Sequence, residues 1–229
     1  MTLRTRRIIT TLITLVGFAL VMLAAAPPVV EELRTQEPIP APSAVSTGDA
    51  STALTELPVK GKAPKTGYSR DQFGSGWSSV NGCDTRQIIL FRDLTNTVLE
   101  DECKVVSGEL LDPYTNKIIS FSGGADVQID HVVALSNAWQ TGAQALSRED
   151  RVLLANDPLE LIAVDGPANQ QKGDGDAATW LPDNKSFRCE YVARQVAVKK
   201  KYSLWVTVSE KEAIQRVLSA CPSQALPVK

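Results

Sequence analysis

One histidine, His131, serves the whole chain. If that imidazole has another task, a metal site built here must draw on oxygen ligands, which suit Mg²⁺, Mn²⁺ or Ca²⁺ better than zinc. Close cysteine pairs are also missing. None of Cys83, Cys103, Cys189 and Cys221 lies within ten residues of another, which argues against a structural zinc site. No cysteine follows the single long apolar run, so nothing points to a lipid-modified N-terminus. Nor is there an excess of positive charge: from residue 69 onward 17 Lys and Arg stand against 21 Asp and Glu, a net of −4. That excludes a polycation that coats itself in nucleic acid; any such contact has to be local.

What is present starts with an address. Residues 1–7 carry Arg4, Arg6 and Arg7, and residues 8–26 are uncharged and largely apolar, ending in Ala24, Ala25 and Ala26. This is the order of a secretory signal. The run is also long enough to cross a bilayer, so 1–26 reads as a signal peptide or an N-terminal membrane anchor. Pro27 places any cleavage earlier in the run. Either way the rest of the chain lies outside the cytoplasm, secreted or tethered through residues 8–26. Residues 27–66, rich in Pro, Ala, Ser and Thr, carry too little apolar content to offset their ordering entropy and are expected to form a disordered linker. Residues 67–229 form the domain. An even cysteine count in an exported chain predicts two disulfides. Four cysteines allow three pairings; Cys83 with Cys103 and Cys189 with Cys221 close the shorter loops and are the expected pairs.

Within the domain, residues 126–133 read D-V-Q-I-D-H-V-V, with Val127 and Ile129 alternating with Gln128 and Asp130 as in a half-buried strand. Adjacent Asp130 and His131 would leave opposite faces of it, so both can serve one site only where the strand twists or ends. A carboxylate beside an imidazole offers a hard ligand and a base that titrates near neutrality. The bland alternative is a strand-end pair with no chemistry.

Around that strand the sequence predicts a helix over 84–98, capped by Asp84 or Thr85 and carrying Arg86 and Arg92, either able to reach a phosphate. Short strands follow at 103–107 and 117–122, flanking a turn at 111–116. Helices are expected over 135–146 and 148–154, the second capped by Ser147, then a strand over 159–164 and a helix over 169–181. A helix over 185–199 follows, then a strand over 202–206. A last helix opens with a capping box of Ser209 and Glu212. Lys185, Arg188, Arg194, Lys199, Lys200 and Lys201 make a local basic excess, read either as a contact for nucleic acid or as a solvated helix face.

Folding the strand 159–164 antiparallel to 126–133 returns the following helix to Asp130, where the Asn169 amide oxygen could complete a cation site. At this point the chain resembles the HNH, or ββα-metal, nucleases, and among them secreted proteins related to the C-terminal domain of GmrSD-type restriction enzymes. The matching residues are D-H-V-V-A-L-S-N-A-W (130–139), A-N-D-P-L-E-L-I-A-V (155–164) and N-Q-Q-K-G-D-G-D-A-A-T-W-L-P (169–182), with C-D-T-R (83–86) and D-P-Y-T (112–115).

The resemblance implies an α+β fold, a ββα-metal (HNH) core with additional helices and two disulfides. It implies Asp130 and Asn169 as ligands of one divalent cation, Mg²⁺ or Mn²⁺ with Ca²⁺ also admitted. His131 becomes the general base, Asn156 the residue that steadies the ββ turn and the base, and Lys172 a basic residue at the scissile phosphate. Arg86, from its place on the predicted helix, is expected as a second substrate contact. Ala134 stands where relatives often have Pro, and Asn169 where the motif's name has His. The expected function is an exported, metal-dependent endonuclease acting on nucleic acid, DNA rather than RNA, as a monomer without an obligate protein partner. The alternatives are a catalytically idle, disulfide-stabilised binding module at the cell surface, and a cell-wall hydrolase motivated only by location and by Asp126 near Asp130; a glycosidase would need two carboxyl groups and no essential histidine.

Overall fold

Alternation along the central strand decides the architecture. The computed structural model describes residues 49–227. In it β6 (Val127–His131) pairs antiparallel with β7 (Leu161–Asp165), in register from Val127 opposite Asp165 to His131 opposite Leu161. One face of this hairpin sends Val127, Ile129, Leu161 and Ala163 into an apolar cluster with Ile89, Leu90 and Phe121. The other sends Ile162 and Val164 into a larger cluster built mostly from helices. The hairpin is therefore buried on both sides, as its near-continuous apolar runs require.

β7 passes directly into α5 (Gly166–Lys172), which Asp165 caps by accepting the Ala168 N–H at 3.0 Å. Strand, strand and helix thus form a ββα unit. Gly166 makes its tight entry: a Cβ there would lie 2.5 Å from the Ala125 carbonyl, so only glycine lets the helix start so close to the loop before β6. Between the two strands the chain runs through α3 (Leu135–Gln140) and α4 (Arg148–Ala155), the latter capped by Ser147.

On one flank α2 (Thr85–Asp93) packs beside a sheet of β3 (Thr95–Leu99), β4 (Val105–Leu111) and β5 (Ile118–Phe121), with the ribbon of β1 (Ser79–Val80) and β2 (Cys83–Asp84) ahead of it. On the other, α6 (Arg188–Lys201) and α7 (Val208–Leu218) close the larger core. The disulfides are Cys83–Cys103 and Cys189–Cys221, the pairs that close the shorter loops. The fold is α+β.

Several expectations need correction. The helix predicted over 84–98 ends at Asp93, because the β-branched residues beyond Leu94 pair with β4. The helix predicted over 169–181 starts three residues earlier, at Gly166, and stops at Gly173, whose φ is +55°. The capping box is Thr207 with Glu210, not Ser209 with Glu212. Residues 202–206 form no strand; Val206 makes only an isolated bridge to Val59.

The largest correction concerns the linker expected over 27–66. Residues 27–48 lie outside the described residues, but 49–66 are packed onto the domain. α1 (Ala50–Glu56) puts Ala50, Ala53 and Leu54 into the larger core, and Asp49 bridges to Ala225. Beyond it the chain is strapped down by backbone bonds from Lys60 to Val206 and from Ala63 to Gln140. A low-complexity composition hid three small or apolar residues at helical spacing.

Nor does the basic cluster near the C-terminus form one face. Lys199 is buried against Glu210 at 2.8 Å, Lys200 pairs with Glu56, Lys201 pairs with Asp157, and Arg194 donates to the Leu159 carbonyl. Lys199 and Arg194 serve packing, while Lys200 and Lys201 form pairs at the surface.

Candidate active site

β6 ends at His131, and there the strand's two faces meet one cleft. His131 is 6% exposed and its Nε2 lies 3.0 Å from the Ala155 carbonyl oxygen. A carbonyl only accepts, so Nε2 carries the proton and Nδ1 keeps its lone pair. The Trp77 ring lies parallel to the imidazole, 6° between planes and 5.9 Å between centroids. Burial, with Arg70 nearby, lowers the His131 pKa from its usual 6.5 to about 3, against the opposing bond to Ala155. The ring is neutral at any ordinary pH.

Asp130 faces the other way, toward α5. Its carboxylate accepts from Lys172 Nζ at 2.9 and 2.8 Å and from the Tyr114 hydroxyl at 2.5 Å. Lys172 also donates to the His131 carbonyl at 2.6 Å, and its side chain is wholly buried. The expectation that Lys172 meets the scissile phosphate is therefore corrected: its ammonium is enclosed and holds Asp130. Tyr114, from the D-P-Y-T block, was not singled out in the sequence. Its neighbour Asp112 accepts from the Asp165 N–H, tying the β4–β5 turn to the start of α5.

Asn169 lies one turn before Lys172 on α5, half-buried, with its Nδ2 donating to Gln128 Oε1 at 3.0 Å. Gln128 is two residues before Asp130 on the same strand face, a placement that period-2 spacing could have found. Among the described residues no protein donor reaches the Asn169 oxygen. Asp130, His131, Asn169 and Arg86 all line a cleft of about 610 Å³. The cleft is walled in addition by Lys65, Tyr68, Arg70 and Trp77; the sequence marks Tyr68 to Trp77 only as a Gly- and Ser-containing entry loop with aromatic anchors and gives none of the four a site role. Lys65 pairs with Asp174 at 3.1 Å on the rim.

Asn156 stands apart from what was expected of it. It touches neither His131 nor the cleft; its Oδ1 accepts the Ser78 N–H at 2.8 Å and its Nδ2 donates to the Val152 carbonyl at 3.0 Å. It thereby fixes the segment that carries Trp77, while its neighbour Ala155 holds the imidazole.

The family profile described as GmrSD restriction endonucleases, C-terminal domain, matches residues 84–217, more than half of the chain. The chain belongs to that family. The match takes in the cleft-lining residues from Arg86 on α2 through β6 and the start of α3 to Asn169 on α5 and Asp174 beyond it. Lys65, Tyr68, Arg70 and Trp77 precede it. A protein of Arthroderma benhamiae described as an uncharacterized secreted protein is 39% identical over 193 residues, covering 82% of this chain and 93% of its own length. No solved structure matches the chain.

Proposed function

We propose that the domain is an exported HNH-type endonuclease that hydrolyses phosphodiester bonds of nucleic acid, with DNA the first expected substrate. The observation that carries this reading is the fixed imidazole. His131, its Nε2 occupied by Ala155 and its Nδ1 free, opens onto a cleft whose walls include Lys65, Arg70 and Arg86. An imidazole held neutral by its surroundings is ready to take a proton from water as that water attacks phosphorus. In the empty cleft it is a weak base. An arriving phosphodiester brings negative charge beside the ring and raises its basicity. Arg70 and Arg86 then face the oxygens on which charge grows in the transition state.

A divalent cation fits the donors present, Asp130 and the unpartnered Asn169 oxygen, though no three carboxylate, thiol or imidazole groups cluster among the described residues. With one carboxylate already shared with Lys172, the substrate phosphate and water would complete its shell, as is usual for Mg²⁺. Bound there, Mg²⁺ or Mn²⁺ would supply positive charge to a phosphoryl oxygen, and Ca²⁺ fits the same donor type.

Export is supported by two disulfides, which suit an oxidising compartment, and by the secreted relative. Among the described residues no helix is long and apolar enough to cross a membrane; the run 8–26 lies outside them. Anchor and cleaved signal are distinguished by the mass of the mature protein.

The deciding experiment is incubation of residues 49–229 with plasmid DNA and Mg²⁺ or Mn²⁺, with and without chelator, beside His131→Ala. Loss of nicking by about 10²–10⁴-fold in the variant is expected for a general base. Undiminished nicking by the variant would sink the assignment. The second reading, a catalytically idle binding module, draws on one observation: Lys172 neutralises Asp130, the carboxylate proposed for the cation site. It is favoured if the wild type shows no Mn²⁺ affinity even with a phosphodiester present.

A further inference from the structure

We infer that Lys65, on a strap over 57–66 that precedes the residues matched by the family, is a substrate-positioning residue: on binding it exchanges Asp174 for a backbone phosphate next to the scissile one. This rests on the nuclease reading above and assigns one of its contacts.

The backbone is fixed on either side of Lys65. Ahead of it the Ala63 N–H donates to the Gln140 carbonyl at 2.8 Å, and after it the Thr66 carbonyl accepts from Trp139 Nε1 at 3.3 Å. The Tyr68 N–H returns to the Lys65 carbonyl at 3.0 Å and closes a turn there. Two salt bridges tie this strap to the loop that follows α5: Lys62 with Asp176 at 3.0 Å and Lys65 with Asp174 at 3.1 Å. The two pairs are not alike. Asp176 is buried and also accepts the Ala178 N–H of its own loop, so the Lys62 pair belongs to the fold. The side chains of Lys65 and Asp174 are 54% and 55% exposed, and both line the cleft.

An ion pair so open to water contributes little to stability and is readily exchanged. When the ammonium leaves, Asp174 keeps a second donor, the Ser136 hydroxyl at 3.0 Å. Lys65 has a fixed backbone and a flexible four-carbon stem, so its charge can swing to an incoming anion. Counterion release tips the exchange. A phosphate on a polyanion sheds condensed cations when an ammonium meets it, and a lone carboxylate has none to shed. Arg70 is the cleft cation whose charge bears on the His131 ring. Lys65 stands off at the rim, so the phosphate that it meets is a neighbour of the one under attack.

The test measures binding of a short DNA duplex by the exported protein carrying His131→Ala, across a salt series. Adding Lys65→Gln should weaken binding about threefold or more at low salt and reduce the slope of log affinity against log salt by about 0.9, the share of one phosphate. Adding Asp174→Asn should strengthen binding about twofold or more by freeing the lysine, an effect that should vanish once Lys65 is Gln. Lys60→Gln makes the same charge change on the same strap, but its ammonium lies over Trp205 and outside the cleft; it should leave affinity and slope unchanged. With His131 restored, Lys65→Gln should raise KM for plasmid cutting about threefold while kcat holds. An unchanged slope and KM in folded Lys65→Gln protein overturn the inference. So do weaker binding in Asp174→Asn, or equal losses in the Lys60 and Lys65 variants. In each of those cases cutting by the wild type leaves the nuclease reading standing. If the wild type neither cuts nor binds, both fail.

Discussion

The Lys172 ammonium sits 2.8 and 2.9 Å from the two oxygens of Asp130, inside the protein rather than at its surface. Tyr114 adds a third donor to the same carboxylate. Asp130 is thus a structural residue as well as a candidate ligand. Removing one partner of a buried ion pair leaves an uncompensated charge and costs about 3–5 kcal/mol. Asp130→Asn and Lys172→Met should each lose stability on that scale, and the double variant should lose less than the two together. Urea unfolding of the three proteins checks it. Full additivity would show that the pair is not coupled.

Asn156 acts at one remove. Its replacement by Ala leaves the Ser78 N–H without its acceptor, a loss of about 1–2 kcal/mol, and loosens the segment bearing Trp77. Catalysis should fall about tenfold while His131 keeps its bond to Ala155. Comparing kcat with the thermal midpoint separates this from general unfolding, since other surface-helix cap losses of equal stability cost should leave kcat unchanged.

Glu160 gives the clearest pH signature. It is fully buried, one oxygen accepting the Val133 N–H at 3.1 Å and the other without a partner. Burial pushes its carboxyl well above the usual range of about 4.5, more than that bond and Lys172 pull it down. A raised folded value means that the stabilisation is complete below the unfolded pKa and is lost as pH rises toward the folded one. One proton of difference gives a slope of about 1.4 kcal/mol per pH unit over that window. His131, lowered to about 3, contributes the opposite slope up to its unfolded value of 6.5. Denaturant melts should therefore show the Glu160 decline above about pH 6.5 in the wild type and a flatter line there in Glu160→Gln.

The segment before residue 67 is a fourth test. Leu54 is 1% exposed, and Leu54→Ala should cost about 2–5 kcal/mol. A chain started at residue 67 loses Ala50, Ala53 and Leu54 from the core and Lys65 from the cleft, and should be markedly less stable than one started at residue 49. Equal circular-dichroism melts for the two would refute it.

What the sequence revealed follows from how local each signal is. The ββα order, the pairing of β6 with β7, the convergence of Asp130, His131 and Asn169 on one cleft, and both disulfides rest on period-2 alternation, loop length and motif order, all readable along the chain. Lys172 was expected at the scissile phosphate from the family resemblance alone; that its ammonium folds back onto Asp130 depends on the register of α5 against β6. Trp77 and Arg70 come from a loop with no periodicity. Only tertiary ties such as Asn156 to Ser78 bring them to His131. Asn156 was expected to steady the ββ turn and the base; its side chain instead holds Ser78, and the carbonyl of Ala155 before it holds the ring.

The two disulfides bear on the producing cell. Closing their loops contributes about 3–4 kcal/mol each by chain entropy, a large part of the stability a small domain commands. In a reducing cytoplasm both staples are open, so the newly made chain lacks their contribution to its stability. On the nuclease reading, oxidation after export acts as a safety catch that spares the maker's own genome. Forcing cytoplasmic synthesis should therefore be tolerated in a reducing strain and toxic in an oxidising one.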